Sequence, residues 1–312
     1  MKAIAGSAAA RATIVVLAAF ALRLLPGGLR AQETALVTGF HHVHMNVMDP
    51  ARSAEFYVTN FWSKQEIVAG WTGVQTGNGL LLFEKVGKSA PYTWDTALWH
   101  FGWATASPAD DYKRISANGV KFFRVPPPSA HLIDPDNVDV ELAPASNAWT
   151  PPPPAFNHVH LQAEHPFCSA DWYEKVLGME HVRDARRVAG DDCRAPYPPR
   201  SNTGNLYLSP SGTIRAGRVS LPILPHQRLV ALTQTPVDDR GPLVSPRGHV
   251  IDHIALTVRD VSAAVRRLRG LGVAILQDTH AFGTSMMRAA MIEGPDRIAI
   301  ELVDEPTLPA AR

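Results

Sequence analysis

Six residues at recurring places in the sequence could hold divalent metal ions: His42, His100 and Glu141 in the first half, His158, His253 and Glu301 in the second. Imidazole nitrogen and carboxylate oxygen suit divalent first-row metals such as Fe, Mn, Zn or Ni. Two histidines with one carboxylate leave coordination positions open for substrate, oxygen or water. His44 and His160 each follow one of these histidines by two residues. Histidine titrates near neutral pH, so either could serve as a general acid or base, or could orient a substrate or a metal-bound water. His131 has the same standing in the first half.

The elements that must position these residues follow from internal repetition. HVHMNVMDPARSAEFY, starting at His42, matches HVHLQAEHPFCSADWY, starting at His158. Two weaker copies start at His100 and at His253. Pro50, Pro108 and Pro166 each lie eight residues after the histidine that opens their copy, and Asp260 stands where Asp49 stands. Every copy reads as a strand followed by a helix. Val43, Met45 and Val47 alternate with His42, His44 and Asn46, so the histidines share the face opposite the apolar row. Asp49, Ser107 and Asp260 are good helix N-caps, and proline suits the first helical turn. His165 is a helix-start residue in the place of Asp49. Gly119 and Gly272 read as helix stops. Short β-rich runs follow each helix, among them Gly79 to Val86, Val138 to Leu142 and Asn205 to Leu208.

The carboxylates come from closing strands. Asp134-Pro135-Asp136 precedes the strand with Glu141, and Gly294-Pro295-Asp296 precedes the strand with Glu301. In each strand the glutamate alternates against an apolar row, which puts it on the histidine side. Taken in chain order, the first pair of modules (38–145) offers His42, His100 and Glu141, and the second (156–305) offers His158, His253 and Glu301. Residues 146–155 form a proline-rich linker and 306–312 a tail. A single histidine of this kind is most simply a polar group on the solvated face of an antiparallel sheet. The same set occurring twice at matching places favours metal.

The composition frames this reading. Hydrophobic residues make up 46% of the 312 and charged residues 19%, a globular balance for roughly two domains. A net charge of +1 gives no basic footprint for nucleic acid. Residues 1–31 read as a secretory signal peptide: Lys2 and Arg11, then the apolar run Thr13 to Leu22, then Pro26 to Gly28. An uncleaved membrane anchor is the other reading. Export, periplasmic or extracellular, permits disulfides. Cys168 and Cys193, the only cysteines, could form one bridge or remain two buried thiols.

This pattern of opening histidine, Asp/Pro helix start, aromatic pair and strand-borne glutamate resembles the vicinal oxygen chelate superfamily of glyoxalase I, extradiol dioxygenases and bleomycin and fosfomycin resistance proteins. The resemblance covers Thr38 to Glu305. It implies an α+β fold of four βαβββ modules paired into two open, cup-shaped mixed sheets with helices on the outer faces. It also implies metal ligands at the opening histidines and closing glutamates. By the extradiol pattern His158, His253 and Glu301 are the matching positions. The first half, which would ordinarily have lost its ligands, retains His42, His100 and Glu141. Extradiol enzymes carry a tyrosine three residues before the turn; Met291 and His131 stand there. Glyoxalase I takes a further ligand from the last strand of its first module, near Glu84 here.

The function expected is a metal-dependent enzyme, a dioxygenase or a lyase/isomerase, acting on a small oxygenated molecule. The alternative is an exported protein that sequesters a small molecule or antibiotic without turnover. The partners expected are the small-molecule substrate and, for subunits, a second copy in a homodimer. Neither nucleic acid nor, after signal cleavage, a membrane is expected.

Overall fold

The computed structural model of the chain describes residues 35–92, 94–145, 154–182, 212–226 and 242–305. The signal segment, the Asn205 to Leu208 strand, Cys193 and most of the proline linker lie outside them. The first module is β1 (Val37–Val47), α1 (Pro50–Asn60), β2 (Lys64–Val68), β3 (Trp71–Gln75) and β4 (Leu80–Lys85). The second is β5 (Leu98–Thr105), α2 (Pro108–Ala117), β6 (Phe122–Arg124), β7 (Ala130–Ile133) and β8 (Asp139–Pro144). The third is β9 (Ala155–Ala163), α3 (Pro166–Trp172), β10 (Glu180–Val182), β11 (Gly212–Ala216) and β12 (Val219–Pro225). The fourth is β13 (Ile251–Val258), α4 (Val261–Gly270), β14 (Ile275–Ala281), β15 (Arg288–Glu293) and β16 (Ala299–Asp304). Among the described residues each of the four is therefore a βαβββ unit.

The local signals act as expected. Asp49, Ser107 and Asp260 cap their helices with side-chain oxygens that accept backbone N–H groups. His165 occupies the same place without a side-chain cap bond. Gly119 and Gly272 follow their helices with φ of +83° and +79°, the left-handed conformation that glycine adopts without cost.

Two eight-stranded mixed sheets result, in the orders β14-β15-β16-β13-β1-β4-β3-β2 and β10-β11-β12-β9-β5-β8-β7-β6. This corrects the expected pairing of first module with second and third with fourth. At the centre of one sheet β1 runs antiparallel to β13, and at the centre of the other β5 runs antiparallel to β9. Each cup takes one module from each half of the chain. The physical reason is that all four opening strands carry the same alternation, so their local sequence does not select a partner.

Consecutive modules instead meet through helices. Tyr57 on α1 donates its hydroxyl to Asp134 of the second module at 2.6 Å, and Ser53 donates to Asp136. The second half repeats this docking: Ser169 on α3 donates to Asp296 of the fourth module at 2.7 Å, and the Glu164 amide donates to the same carboxylate at 3.0 Å. The aspartates of the two Pro-Asp turns thus anchor the preceding module's helix. One apolar core joins the helix-facing sides of both sheets, with Tyr57, Phe83, Phe101, Trp103 and Phe156 at its centre. The other face of each sheet is left to the histidines.

Candidate metal centres

The first cup gathers His42, His44, His253 and Glu301. His44 pairs across the strands with His253, and His42 with Ala255. Ala255 in turn pairs with Glu301 on β16. Because alanine is short, the glutamate reaches across it. Glu301 Oε2 lies 3.5 Å from His42 Nε2 and 3.6 Å from His253 Nε2. All four side chains are buried. His42 Nε2, His253 Nε2 and Glu301 Oε2 have no hydrogen-bond partner. Buried polar atoms without partners are uncommon because each costs about 1–3 kcal/mol. Three of them around one point form a cradle for a cation.

The second cup gathers His100, His158, His160 and Glu141. His100 pairs with His160, Gly102 with His158, and Gly102 also with Glu141. Glu141 Oε2 lies 3.1 Å from His100 Nε2, 3.2 Å from His158 Nε2 and 3.9 Å from His160 Nε2. Donor atoms of these four residues all lie within 4.8 Å of one another, as do those of His42, His44 and His253.

The sequence-derived sets are therefore regrouped. His42 sits with His253 and Glu301, while His100 and Glu141 sit with His158. The grouping by halves fails for the same reason as the module pairing, since each cup joins an opening strand of one half to an opening strand of the other. His131 pairs with Glu141, and Met291 pairs with Glu301, so these two do occupy equivalent places. His131 Nε2 is 3.6 Å from Glu141 Oε1, whereas Met291 is buried and offers no proton. Glu84 is exposed, and its carboxylate accepts the Trp71 indole N–H at 2.6 Å.

Partners that fix the ring orientations were not singled out from the sequence. His253 Nδ1 donates to Asp252 at 2.7 Å, and His158 Nδ1 donates to the Asn157 side-chain oxygen at 2.8 Å. His42 shares an Nδ1–Nδ1 hydrogen bond of 2.7 Å with His41. In each case the partner is the residue immediately before the histidine, and this was the available signal. An Nδ1–H so engaged leaves the Nε2 lone pair facing the glutamate. Asp252 is itself held by Arg247 at 2.7 Å and by the Gly248 amide at 2.7 Å. In the second cup His131 Nδ1 hydrogen-bonds Asp139 at 2.9 Å.

Proton affinities follow from burial and neighbours. Burial, and then the imidazoles of His41, His253 and His44, hold His42 well below the ordinary histidine range. Burial likewise lowers His44 to about 3 and His41 to about 4. His100 and His160 are lowered by burial, so these rings are neutral and carry lone pairs. Burial pushes the Glu141 carboxyl up, but the imidazoles of His100 and His158 outweigh it and keep the group ionised. Burial lowers His131 and His253, yet the bonds to Asp139 and Asp252 outweigh it and raise both.

The first cup is also covered. The tip between β14 and β15 crosses to the tip between β2 and β3, where the Thr284 amide donates to the Ala69 carbonyl at 2.8 Å. Phe282 lies on this tip, with its ring 5.6 Å from that of His42 and 5.2 Å from that of Trp71. Leu82, Ala255, Phe282, Ala289 and Val303 form a separate apolar cluster on the histidine side.

Residues 155–302 match the family model described as Glyoxalase/Bleomycin resistance protein/Dioxygenase superfamily. Glyoxalase I from Zea mays shares the fold with a TM-score of 0.61 at 19% identity, over 85% of this chain and 92% of that one. A candidate dioxygenase from Bacillus subtilis gives a TM-score of 0.57 at 16% identity, over 87% of this chain and 86% of that one. No curated protein matches the sequence.

Proposed function

We propose that the protein is a metal-dependent enzyme acting on a small molecule with two adjacent oxygens, a reading supported by the match of residues 155–302 to the Glyoxalase/Bleomycin resistance protein/Dioxygenase superfamily model. The observation that carries the reading is the convergence of buried, unpartnered donor atoms from His42, His253 and Glu301. In the second cup His100 Nε2 and His158 Nε2 converge on Glu141 Oε2, at 3.1 Å and 3.2 Å. Imidazole and carboxylate donors fit divalent Fe, Mn, Zn or Ni. A divalent ion held there would act as a Lewis acid toward vicinal oxygens and stabilise enolate or oxyanion charge.

The chain's own residues set the conditions for this chemistry. Asp252 and Asn157 hold the His253 and His158 rings with Nε2 toward the glutamates. Phe282 and Trp71 keep water from the first cup, where charges interact more strongly for want of solvent. In the second cup His131 stands beside Glu141, with Asp139 holding its other nitrogen, and is placed to move a proton. The first cup has Met291 there, so its proton carrier would be His280, whose Nε2 is 3.9 Å from Glu301. Export is supported by the apolar run Thr13 to Leu22 and by the disulfide bond of Cys168, which suits an oxidising compartment. Among the described residues, no helix is long and apolar enough to cross a membrane.

Elemental analysis of the wild type beside His100→Ala and His253→Ala tests the proposal. Each variant should lose about one metal equivalent, because each removes a ligand from a different cup. Wild-type protein that stays metal-free after exposure to Fe, Mn, Zn and Ni, yet binds apolar ligands tightly, would overturn it in favour of sequestration.

A further inference from the structure

We propose that His44 and His160 are metal ligands, so that each cup holds its ion with three imidazoles and one carboxylate rather than two and one. This rests on the metal reading above and extends it to residues whose role the sequence leaves open.

The first support is strand geometry. Residues two apart on a strand face the same side, with Cα atoms about 6.6 Å apart. Two histidine side chains so placed can reach one ion between them. His42 and His44 have this spacing on β1, and His158 and His160 have it on β9. The donor sets reflect it. His44 groups with His42 and His253, and His160 groups with His100, His158 and Glu141, in each case with all donor atoms within 4.8 Å of one another.

The second support is that the arrangement occurs twice. The His44 ring lies 4.6 Å from that of His253, with 18° between their planes. The His160 ring lies 4.5 Å from that of His100, with 22° between their planes. The second histidine of each His-Val-His segment therefore stands beside the histidine supplied by the other half of the chain. A tryptophan stands edge-on to each ring, Trp71 to His44 at 5.3 Å and Trp99 to His160 at 5.7 Å. What the two places share is three imidazoles drawn from two facing opening strands.

The third support is an unmet need. Nδ1 of both His44 and His160 is buried without a hydrogen-bond partner. A histidine kept as a proton shuttle or packing residue at such depth is expected to hold a hydrogen bond on its buried nitrogen, as His131 does with Asp139. His131 differs in that both its nitrogens face carboxylates, and its donors group with His100 and Asp139 rather than with the four-residue set.

The consequence is chemical. Four protein ligands leave two positions on an octahedral ion, enough for the adjacent oxygens of one substrate and for nothing else. Such a site favours chemistry on a substrate that chelates through both oxygens.

Cobalt(II) binding to the full-length protein tests this, with His158→Ala used to empty the second cup. In that background His44→Ala should weaken cobalt binding at least about tenfold, the loss that even an outer partner of a ligand causes. It should also shift the visible absorption bands of the bound ion. Unchanged affinity and bands in His44→Ala, with binding abolished by His253→Ala, would overturn the ligand assignment and leave the metal reading intact. If His42→Ala and His253→Ala also left cobalt binding unchanged, both would fall. Imidazole counting by X-ray absorption on the wild type covers the case in which His44→Ala does not fold. Three imidazoles per ion would uphold the assignment, and two would refute it.

Discussion

Gly102 lies directly beneath the His158 ring: a Cβ added to the glycine would sit 2.6 Å from His158 Cε1 and 2.5 Å from the Glu141 carbonyl oxygen. Gly102 pairs with both of these residues across the sheet, as Ala255 pairs with His42 and Glu301 in the first cup. The first cup therefore accommodates a methyl group at this place and the second does not. Gly102→Ala should push His158 off Glu141 and lower metal affinity of the second cup by about 10–100-fold, the scale of lost ligand orientation. The first cup should keep its metal. Titration of the metal-free variant with one and then two equivalents of metal checks this, and two unimpaired sites would contradict it.

Asp252 fixes the first cup in a different way. Its carboxylate accepts His253 Nδ1–H and is itself held by Asn46, Gly248 and Arg247. Burial pushes the carboxyl up, but the bond from His253 and the charge of Arg247 outweigh it and keep the group ionised. Asp252→Ala frees the imidazole to rotate and to change tautomer. Metal affinity of the first cup should fall about 10–100-fold, with the second cup unaffected. Asp252→Asn, which can still accept the Nδ1 proton, should fall less. Equal losses in the two variants would show that the orienting bond is not the cause.

Much of this arrangement was legible in the sequence. The His42, His100, His158 and His253 copies gave four strands with histidine on one face, and Asp49, Ser107 and Asp260 marked where the helices begin. The glutamate register also emerged from the turns at Asp134 and Gly294. Partner choice did not, because the strands opened by His42 and His253 alternate in the same way as those opened by His100 and His158. Only long-range contacts, such as Tyr57 with Asp134, separate one pairing from the other. Asp252, Asn157 and His41 are not legible, because alternation assigns the residue before each histidine to the opposite face. Irregular register between β1 and β13 near His42 and His44 weakens that rule. Gly102 could not be read either, since its value lies in a ring contributed by a strand more than fifty residues away.

The cover of the first cup depends on Gly283. Its φ is +51°, and a Cβ there would overlap the Ala69 carbonyl oxygen and lie 2.6 Å from Trp71 Cζ3. Gly283→Val should lift the hairpin tip, break the Thr284 amide bond to Ala69 and expose Phe282. The expected cost is about 1–3 kcal/mol, as for a bulky residue forced into a strained backbone region. Urea unfolding would measure that loss. Hydrogen exchange at the Thr284 amide should accelerate in parallel. Unchanged exchange at Thr284 would show that the tip tolerates the side chain and that its seat on Ala69 does not require glycine.

The buried imidazoles make metal-free protein sensitive to acid. His41 is lowered from 6.5 to about 4 and His44 to about 3, burial being the largest cause for both. These groups are neutral in both the folded and unfolded chain above pH 6.5, so they impose no penalty there. As pH falls below 6.5, the unfolded chain takes up protons that the folded chain refuses, and stability is lost until the folded groups protonate near pH 4 and below. For His41 alone the loss across this window is on the order of 3 kcal/mol. Metal-free protein should therefore unfold at lower urea concentration at pH 4.5 than at pH 7. His41→Asn should reduce that difference, because one proton fewer is taken up on unfolding. Equal urea midpoints at the two pH values would mean that these rings are as accessible to protons in the folded protein as in the unfolded chain.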